Sequence, residues 1–361
     1  MATTENTDDA KIKEKYNFLY PLLTQPDFNI KIAEKREFHD TKFPDEVIDN
    51  VEAHGNFLCN EKEFELMPHQ KFVRNFLSSM TPYNGVLLFH GLGTGKTCTA
   101  ISVAEQTRQY YKHLNSNKKI IIIASPNVKE NFKTQLFDAR KLKQENGIWN
   151  LRGCTGKSYL REINPMSMKN LKKENIIKEV NKIIRASYRF LGYTEFANII
   201  GKILSTTKGE QAEIRALRKH FSDTLIIIDE VHNIRHTALN PKKRVAINLL
   251  KVVKATQNMK LLFLSATPMY NSHDEIIWLL NILNINDGRA PVLRNEVFNK
   301  KGEFIISDDG EESGKKYLAS RCIGYISYLR GQNPYTFPYR LWPAEFASKA
   351  SLVTMLAKSH K

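Results

Sequence analysis

Residues 90–97 read HGLGTGKT, and few eight-residue stretches announce their chemistry so plainly. Glycines at 91, 93 and 95 let the backbone wrap closely round phosphate oxygens and turn N–H groups toward them. A helix starting where the loop ends adds its positive dipole end. Lys96 is placed to hold β- and γ-phosphates, and the Thr97 hydroxyl to bind Mg²⁺. The candidate ATP-binding loop is therefore His90, Gly91, Leu92, Gly93, Thr94, Gly95, Lys96 and Thr97. The strict pattern G-x-x-x-x-G-K-[ST] asks for glycine at position 90, where this chain has His90. A second cluster, Asp229, Glu230, Val231 and His232, closes the apolar run TLIII. An acidic residue at such a strand end faces the phosphate loop, so Asp229 can join Thr97 in holding Mg²⁺. Glu230, one residue on, can polarise the attacking water. Lys96, Asp229 and Glu230 are the catalytic candidates. His232 either hydrogen-bonds toward the γ-phosphate region or is an exposed loop histidine.

Chemistry of this kind needs a frame that delivers both clusters to one place. GVLLFH (85–90), KIIIIAS (119–125), TLIIIDE (224–230) and KLLFLSA (260–266) read as strands, and helical patterns such as TCTAISVAEQTRQYYKHL and VKENFKTQLF alternate with them. Continuous apolar strands separated by helices imply an α/β fold whose mainly parallel sheet is covered on both faces. Ligands of such sheets bind beyond the carboxyl ends of the strands, where both clusters fall. A near-copy of the loop, GCTGKS (153–158), has neither an apolar strand before it nor a helical pattern starting at its serine. It is expected to be a surface turn.

The organisation read from the text is an N-terminal extension over 1–60, an ATP-binding lobe over 61–290 and a C-terminal segment over 291–361. The first ten or so residues read as a disordered tail. Residues 16–44 read as an extension laid over a globular body. Within the lobe, residues 151–189 form a basic and helical insert, which either contacts a nucleic-acid backbone or is a solvated face. The net charge is +16, which favours a polyanionic partner. Four cysteines without CxxC spacing suggest neither zinc nor a disulfide scaffold, and a reducing, intracellular setting is expected. No apolar run is long enough to span a bilayer, so a soluble protein without a membrane partner is expected.

Beyond these two clusters the chain resembles superfamily 2 DExH helicases. At finer grain it looks like the helicase-like ATPases of large cytoplasmic DNA viruses, similar to the poxvirus early transcription factor small subunit and the poxvirus nucleoside triphosphatase family. LLFHGLGTGKT, IIIDEVHNIRH, LSATPMYNSHDEI and YISYLRGQNPYTFPYR carry the likeness. The resemblance implies a RecA-like P-loop domain and a nucleic-acid-dependent ATPase. It implies that Gln70 in LMPHQ reads the adenine edge, and that Ser125, Pro126 and Asn127 contact nucleic acid. It implies that Ser265 and Thr267 in SATP, together with His232, couple the two sites. Viral transcription in the virion or host cytoplasm, a DNA rather than RNA track and a viral RNA polymerase as partner follow on the same footing. Motors of this family close ATP between two lobes, the second carrying an arginine finger. No Q-x-x-G-R-x-x-R pattern follows Leu283, where about 80 residues remain, too few for a second lobe. A chain supplying that lobe is thus an expected partner, since a missing finger costs about 10³–10⁵ in turnover. The alternative is a nucleotide-responsive adaptor with little hydrolysis of its own. The aromatic stretch YTFPYRLWP would then either dock it on a partner or pack on its own lobe.

Overall fold

A computed structural model describes residues 19–43, 50, 65–151, 153–166, 171–234, 244–269 and 275–329. The N-terminal tail and the aromatic stretch YTFPYRLWP lie outside them. In chain order the elements are α1 (Phe28–Glu34), α2 (Pro68–Phe76), β1 (Gly85–His90), α3 (Lys96–His113), β2 (Ile120–Ile123) and α4 (Pro126–Leu136). A hairpin of β3 (Leu142–Glu145) and β4 (Ile148–Leu151) follows, then α5 (Ser158–Ile163), α6 (Lys173–Ser187), β5 (Tyr188–Leu191), α7 (Tyr193–Ser205), α8 (Glu210–Phe221) and β6 (Leu225–Ile228). The last elements are α9 (Arg244–Ala255), β7 (Lys260–Ser265), α10 (Glu275–Asn286), α11 (Ser313–Cys322) and β8 (Ile326–Leu329). Among the described residues no helix is long and apolar enough to cross a membrane.

Six strands form one sheet in the order β5-β2-β6-β7-β1-β8, and every neighbouring pair is parallel. The α/β expectation of a mainly parallel sheet therefore holds. Side-chain alternation splits the core in two. Leu88, Ile120, Ile122, Leu225, Ile227, Leu262 and Leu264 face α1 to α6, and Leu87, Ile121, Ile123, Ile226, Ile228, Leu261 and Phe263 face α7 to α10. Burial on both faces is why these strands read as unbroken apolar runs. The extension does pack on the body. Phe28, Ile32 and Phe38 are buried with Phe76 and Tyr83, whose rings stack at 4.4 Å.

Four sequence expectations need correction. The stretch 151–189 carries helices α5 and α6, but it ends in β5, an edge strand of the main sheet, and so is part of the fold rather than an insert. The sheet does not end within 61–290, because β8 in the expected C-terminal segment supplies the opposite edge beside β1. GCTGKS is no bare surface turn. Cys154 and Thr155 are buried, β4 precedes it, and Ser158 begins α5. The cysteines are not all solitary either, since Cys98 and Cys154 form a disulfide with Cα atoms 5.1 Å apart. Packing of that turn against the first turn of α3 brings together residues 56 apart in sequence.

The helix that follows the phosphate loop is also anchored along its length. Glu105 accepts both Tyr159 and Tyr188 hydroxyls at 2.5 Å and the Arg108 guanidinium at 2.9–3.2 Å. Arg108 reaches Glu162 of α5 at 2.8 Å, as does Lys112. Glu105 and Arg108 are both buried, at 7% and 4% exposure, so neither charge has water to fall back on. Glu105→Ala would leave Arg108 with Glu162 as its one carboxylate partner and strand two buried phenol hydroxyls, and is expected to destabilise the fold by about 3–5 kcal/mol. Urea unfolding checks this, and a loss below about 1 kcal/mol would show that the network does not hold the helix.

Candidate active site

The loop between β1 and α3 takes its shape from two glycines. Gly93 and Gly95 have φ of 80° and 78°, the left-handed region that L side chains avoid. At Gly95 a Cβ would also meet Gln70 Nε2 at 2.5 Å, so only glycine fits there. The turn is closed by Thr94 Oγ1 donating to Gly91 O at 2.9 Å. Two residues of α2 hold it from behind: His69 Nε2 lies 3.0 Å from Thr94 O, and Gln70 Nε2 donates to Gly95 O at 3.3 Å. Lys96 turns its ammonium back onto the loop and donates to His90 O and Gly91 O, both at 2.9 Å. Burial lowers its pKa, against the pull of the Glu230 and Asp229 charges.

The candidate residues do not all face the loop in the same way. His90 is fully buried, with Nε2 2.9 Å from Ser327 Oγ of β8. Burial, followed by the charges of His69 and Lys96, pushes its pKa down to about 3, so the ring is neutral. Its imidazole ties β1 to the sheet edge, and only its carbonyl belongs to the loop. That is how the chain tolerates histidine where the strict pattern asks for glycine. Gln70 is 4% exposed, and its carboxamide binds Met67 N and Gly95 O, so its visible contacts are to the loop rather than outward. Leu92 and Gly93 are exposed at the tip, and Thr97 is half-buried in the first turn of α3.

Across from the loop, β6 delivers the acidic pair. Asp229 N donates to Ile123 O at 3.0 Å, which extends the ladder one residue past the strand. Its Oδ1 accepts Glu230 N at 2.8 Å. Burial raises its pKa to about 6, with the neighbouring Glu230 charge adding to the rise and Lys96 and the Glu230 amide opposing it. Glu230 sits at φ 44°, ψ 54°, again left-handed but without a glycine. From it runs a continuous polar chain. Glu230 Oε2 lies 3.2 Å from His232 Nδ1, which lies 3.0 Å from Ser265 Oγ at the end of β7. Ser265 Oγ in turn accepts Thr267 N at 3.1 Å. His232 is 18% exposed and bonded to Ser265, so it is not an exposed loop histidine. Ser125, Pro126 and Asn127 open α4 at the carboxyl end of β2, the same edge of the sheet, with Pro126 and Asn127 exposed.

Thr97 and Asp229 suit a magnesium ion. Both offer hard oxygen donors, and the buried Asp229 carboxylate, whose charge burial disfavours, would be relieved by a cation. Sequence reasoning missed three participants. His69 adjoins the quoted Gln70 but carries no signal of its own. Ser327 lies on a strand that does not read as one. Tyr193, whose hydroxyl donates to Asp229 O at 2.8 Å, has no pattern to mark it.

Comparison with known proteins places the chain in a family. Residues 69–320 match the model of the SNF2-related domain. An Acanthamoeba polyphaga mimivirus protein with the provisional name ATP-dependent RNA helicase L377 is 29% identical over 94% of this chain and 30% of its own length. An African swine fever virus early transcription factor large subunit homolog is 23% identical over 91% of this chain and 35% of its own length. The chain thus spans about a third of the length of these relatives. Among solved structures, a Sulfolobus solfataricus SWI2/SNF2 ATPase core in complex with dsDNA aligns at 18% identity and a TM-score of 0.40. The alignment covers 75% of this chain and 46% of that one.

The raised Asp229 pKa carries a stability consequence. Because the folded state holds this proton more tightly than an ordinary carboxyl of 3.8 does, the group's contribution is most favourable below pH 3.8. It is lost as pH rises to about 6, leaving a penalty on the order of 3 kcal/mol at neutrality. Asp229→Asn keeps an acceptor for Glu230 N but removes the charge. It is expected to stabilise the protein at pH 7 by about 1–3 kcal/mol, while abolishing Mg²⁺-dependent nucleotide binding. Urea unfolding and a fluorescent-nucleotide titration read the two effects, and a destabilised variant would refute the buried-charge account.

Proposed function

The chain belongs to the SNF2-related domain family, and from that membership we propose that it is the ATP-binding and hydrolysing lobe of a nucleic-acid-dependent motor. The observation that carries the reading is the convergence of Lys96, Asp229 and Glu230, from the segments after β1 and β6, on one edge of the sheet, with the Asp229 and Glu230 charges acting on Lys96 and those of Glu230 and Lys96 on Asp229. Gly91 to Thr97 would wrap the triphosphate with backbone N–H groups and the helix dipole. Lys96 would leave the His90 and Gly91 carbonyls for the β- and γ-phosphates, a better-matched partner for its charge. Thr97 and Asp229 would hold magnesium, which supplies neutralisation of charge on the transferring phosphoryl group. Glu230 would orient the attacking water and accept its proton. Gln70, whose carboxamide binds Met67 N and Gly95 O, would turn from the loop to meet the base.

His232, Ser265 and Thr267 would report the state of Glu230 to the nucleic-acid face, since the hydrogen-bonded chain already joins them. That face is proposed at Ser125, Pro126 and Asn127, where an exposed helix start suits phosphate contact. The +16 charge supports a polyanionic track, and DNA is the one proposed. A second lobe, from a further segment or another chain, would complete the ATP site. Its setting would be viral transcription beside a viral RNA polymerase, in the virion or host cytoplasm, in keeping with the African swine fever virus relative named for early transcription.

Steady-state ATP hydrolysis, with and without duplex and single-stranded DNA and RNA, tests this. Stimulation is expected, greater with DNA than with RNA. Glu230→Gln should lower turnover about 10²–10⁴-fold while leaving nucleotide affinity within about threefold. Tight nucleotide binding without turnover under any condition would move the protein to the adaptor reading.

A further inference from the structure

The turn from Asp229 to Asn233 carries both Glu230 and His232, yet its backbone is not one these residues adopt unaided. Glu230 occupies the left-handed region, which is unfavourable for a residue with a Cβ and persists only where the surroundings enforce it. Within the turn, Asn233 N donates to Glu230 O at 2.9 Å, but the peptide preceding Glu230 needs its own restraint. A single hydroxyl supplies it. Tyr193 Oη donates to Asp229 O at 2.8 Å and accepts from the Asn233 side chain, so it joins the first and last residues of the turn. Burial, reinforced by the Asp229 and Glu230 charges, raises the phenol's pKa to about 12, and the group stays a neutral donor at any working pH.

Tyr193 also belongs to a second place. It is the first residue of α7, whose start is fixed by Glu195 Oε2 accepting Gly192 N at 3.2 Å. That start lies beside α4, since a Cβ on Gly192 would come 4.0 Å from Lys129 Nζ. The clamp on the catalytic turn therefore hangs from the edge where Ser125, Pro126 and Asn127 open α4.

We propose that Tyr193 is a positioning residue: its hydroxyl sets the orientation of Glu230 by clamping both ends of the Asp229–Asn233 turn, and it couples that turn to the start of α7 on the nucleic-acid face. The bond to Asp229 O stands on its own geometry, while the coupling rests on the function proposed above. Tyr193→Phe in the full chain keeps the ring and removes the bond. Amide hydrogen exchange across residues 229–234 is expected to quicken about tenfold, with β1 and β2 unchanged and the melting temperature within about 3 °C. Asn233→Ala should give the same local pattern. Nucleotide affinity should hold, and nucleic-acid-stimulated kcat should fall about tenfold at unaltered KM. Unchanged exchange in the turn, or quickening spread over the whole sheet with a matching fall in melting temperature, would overturn the clamp. Local quickening with an unaltered stimulated kcat would overturn the coupling. A wild-type chain without nucleic-acid-stimulated turnover would sink the proposed function, and the coupling with it, while the exchange experiment would still decide the clamp.

Discussion

Everything in this molecule depends on a parallel sheet that is buried on both faces. A parallel strand is followed by a crossover, so successive strands all point the same way and their carboxyl ends gather on one edge. That edge is the one place where backbone N–H groups, helix starts and strand-end side chains can face a common ligand. The phosphate loop after β1, the acidic turn after β6 and the serine ending β7 all arrive there without being near one another in sequence. The order of strands sharpens the point. After β1 the chain crosses to β2 over one face through α3, and it returns from β5 to β6 over the other through α7 and α8.

Such an edge is electrostatically awkward. Asp229 is nearly dry, its pKa raised to about 6, and Lys96 beside it is lowered by the same burial. Two opposite charges sharing a low-dielectric corner partly relieve each other, yet each would gain more from a stronger partner, and a metal-bound triphosphate offers one to both. The strain is carried by rigid neighbours. Helix α3 is held by the disulfide near its first turn and by the buried Glu105–Arg108 network farther along, and the loop is buttressed by His69 and Gln70. A site that holds unfavourable charges needs that kind of support, because local relaxation would otherwise remove the tension that favours ligand.

How much of this was legible in the sequence follows from what leaves a pattern. The four inner strands read as runs such as KIIIIAS because both faces demand apolar side chains. The two edge strands, YRFL and ISYL, did not, because an edge strand meets core on fewer sides and keeps polar residues such as Arg189 and Ser327. Misreading β5 made a structural segment look like an insert, and misreading β8 placed the end of the sheet too early. The site divides similarly. Gly93, Gly95, Lys96, Asp229 and Glu230 are legible because phosphate chemistry fixes residue type at fixed spacing. His69 and Tyr193 are not, because each meets the site through a backbone carbonyl, and any residue has a carbonyl to offer. Cys98 and Cys154 show the same limit, since no spacing rule joins residues that meet only when a turn packs on a helix.

Those silent residues mark where the two halves of the site are tied together. The acidic turn is bonded in two directions at once: through His232 to Ser265 on β7, and through Tyr193 to the start of α7 beside β5. Strands β5 and β7 lie on opposite sides of β6, with β2 between β5 and β6. A small shift at either flank therefore changes the hydrogen bonding of the one segment that carries Glu230. A left-handed residue suits that position, because its backbone has a nearby alternative in the right-handed region and no gradual path between them. The turn is thus better suited to answer its neighbours by changing state than by bending in proportion, as the proposed role of Glu230 in orienting water would require.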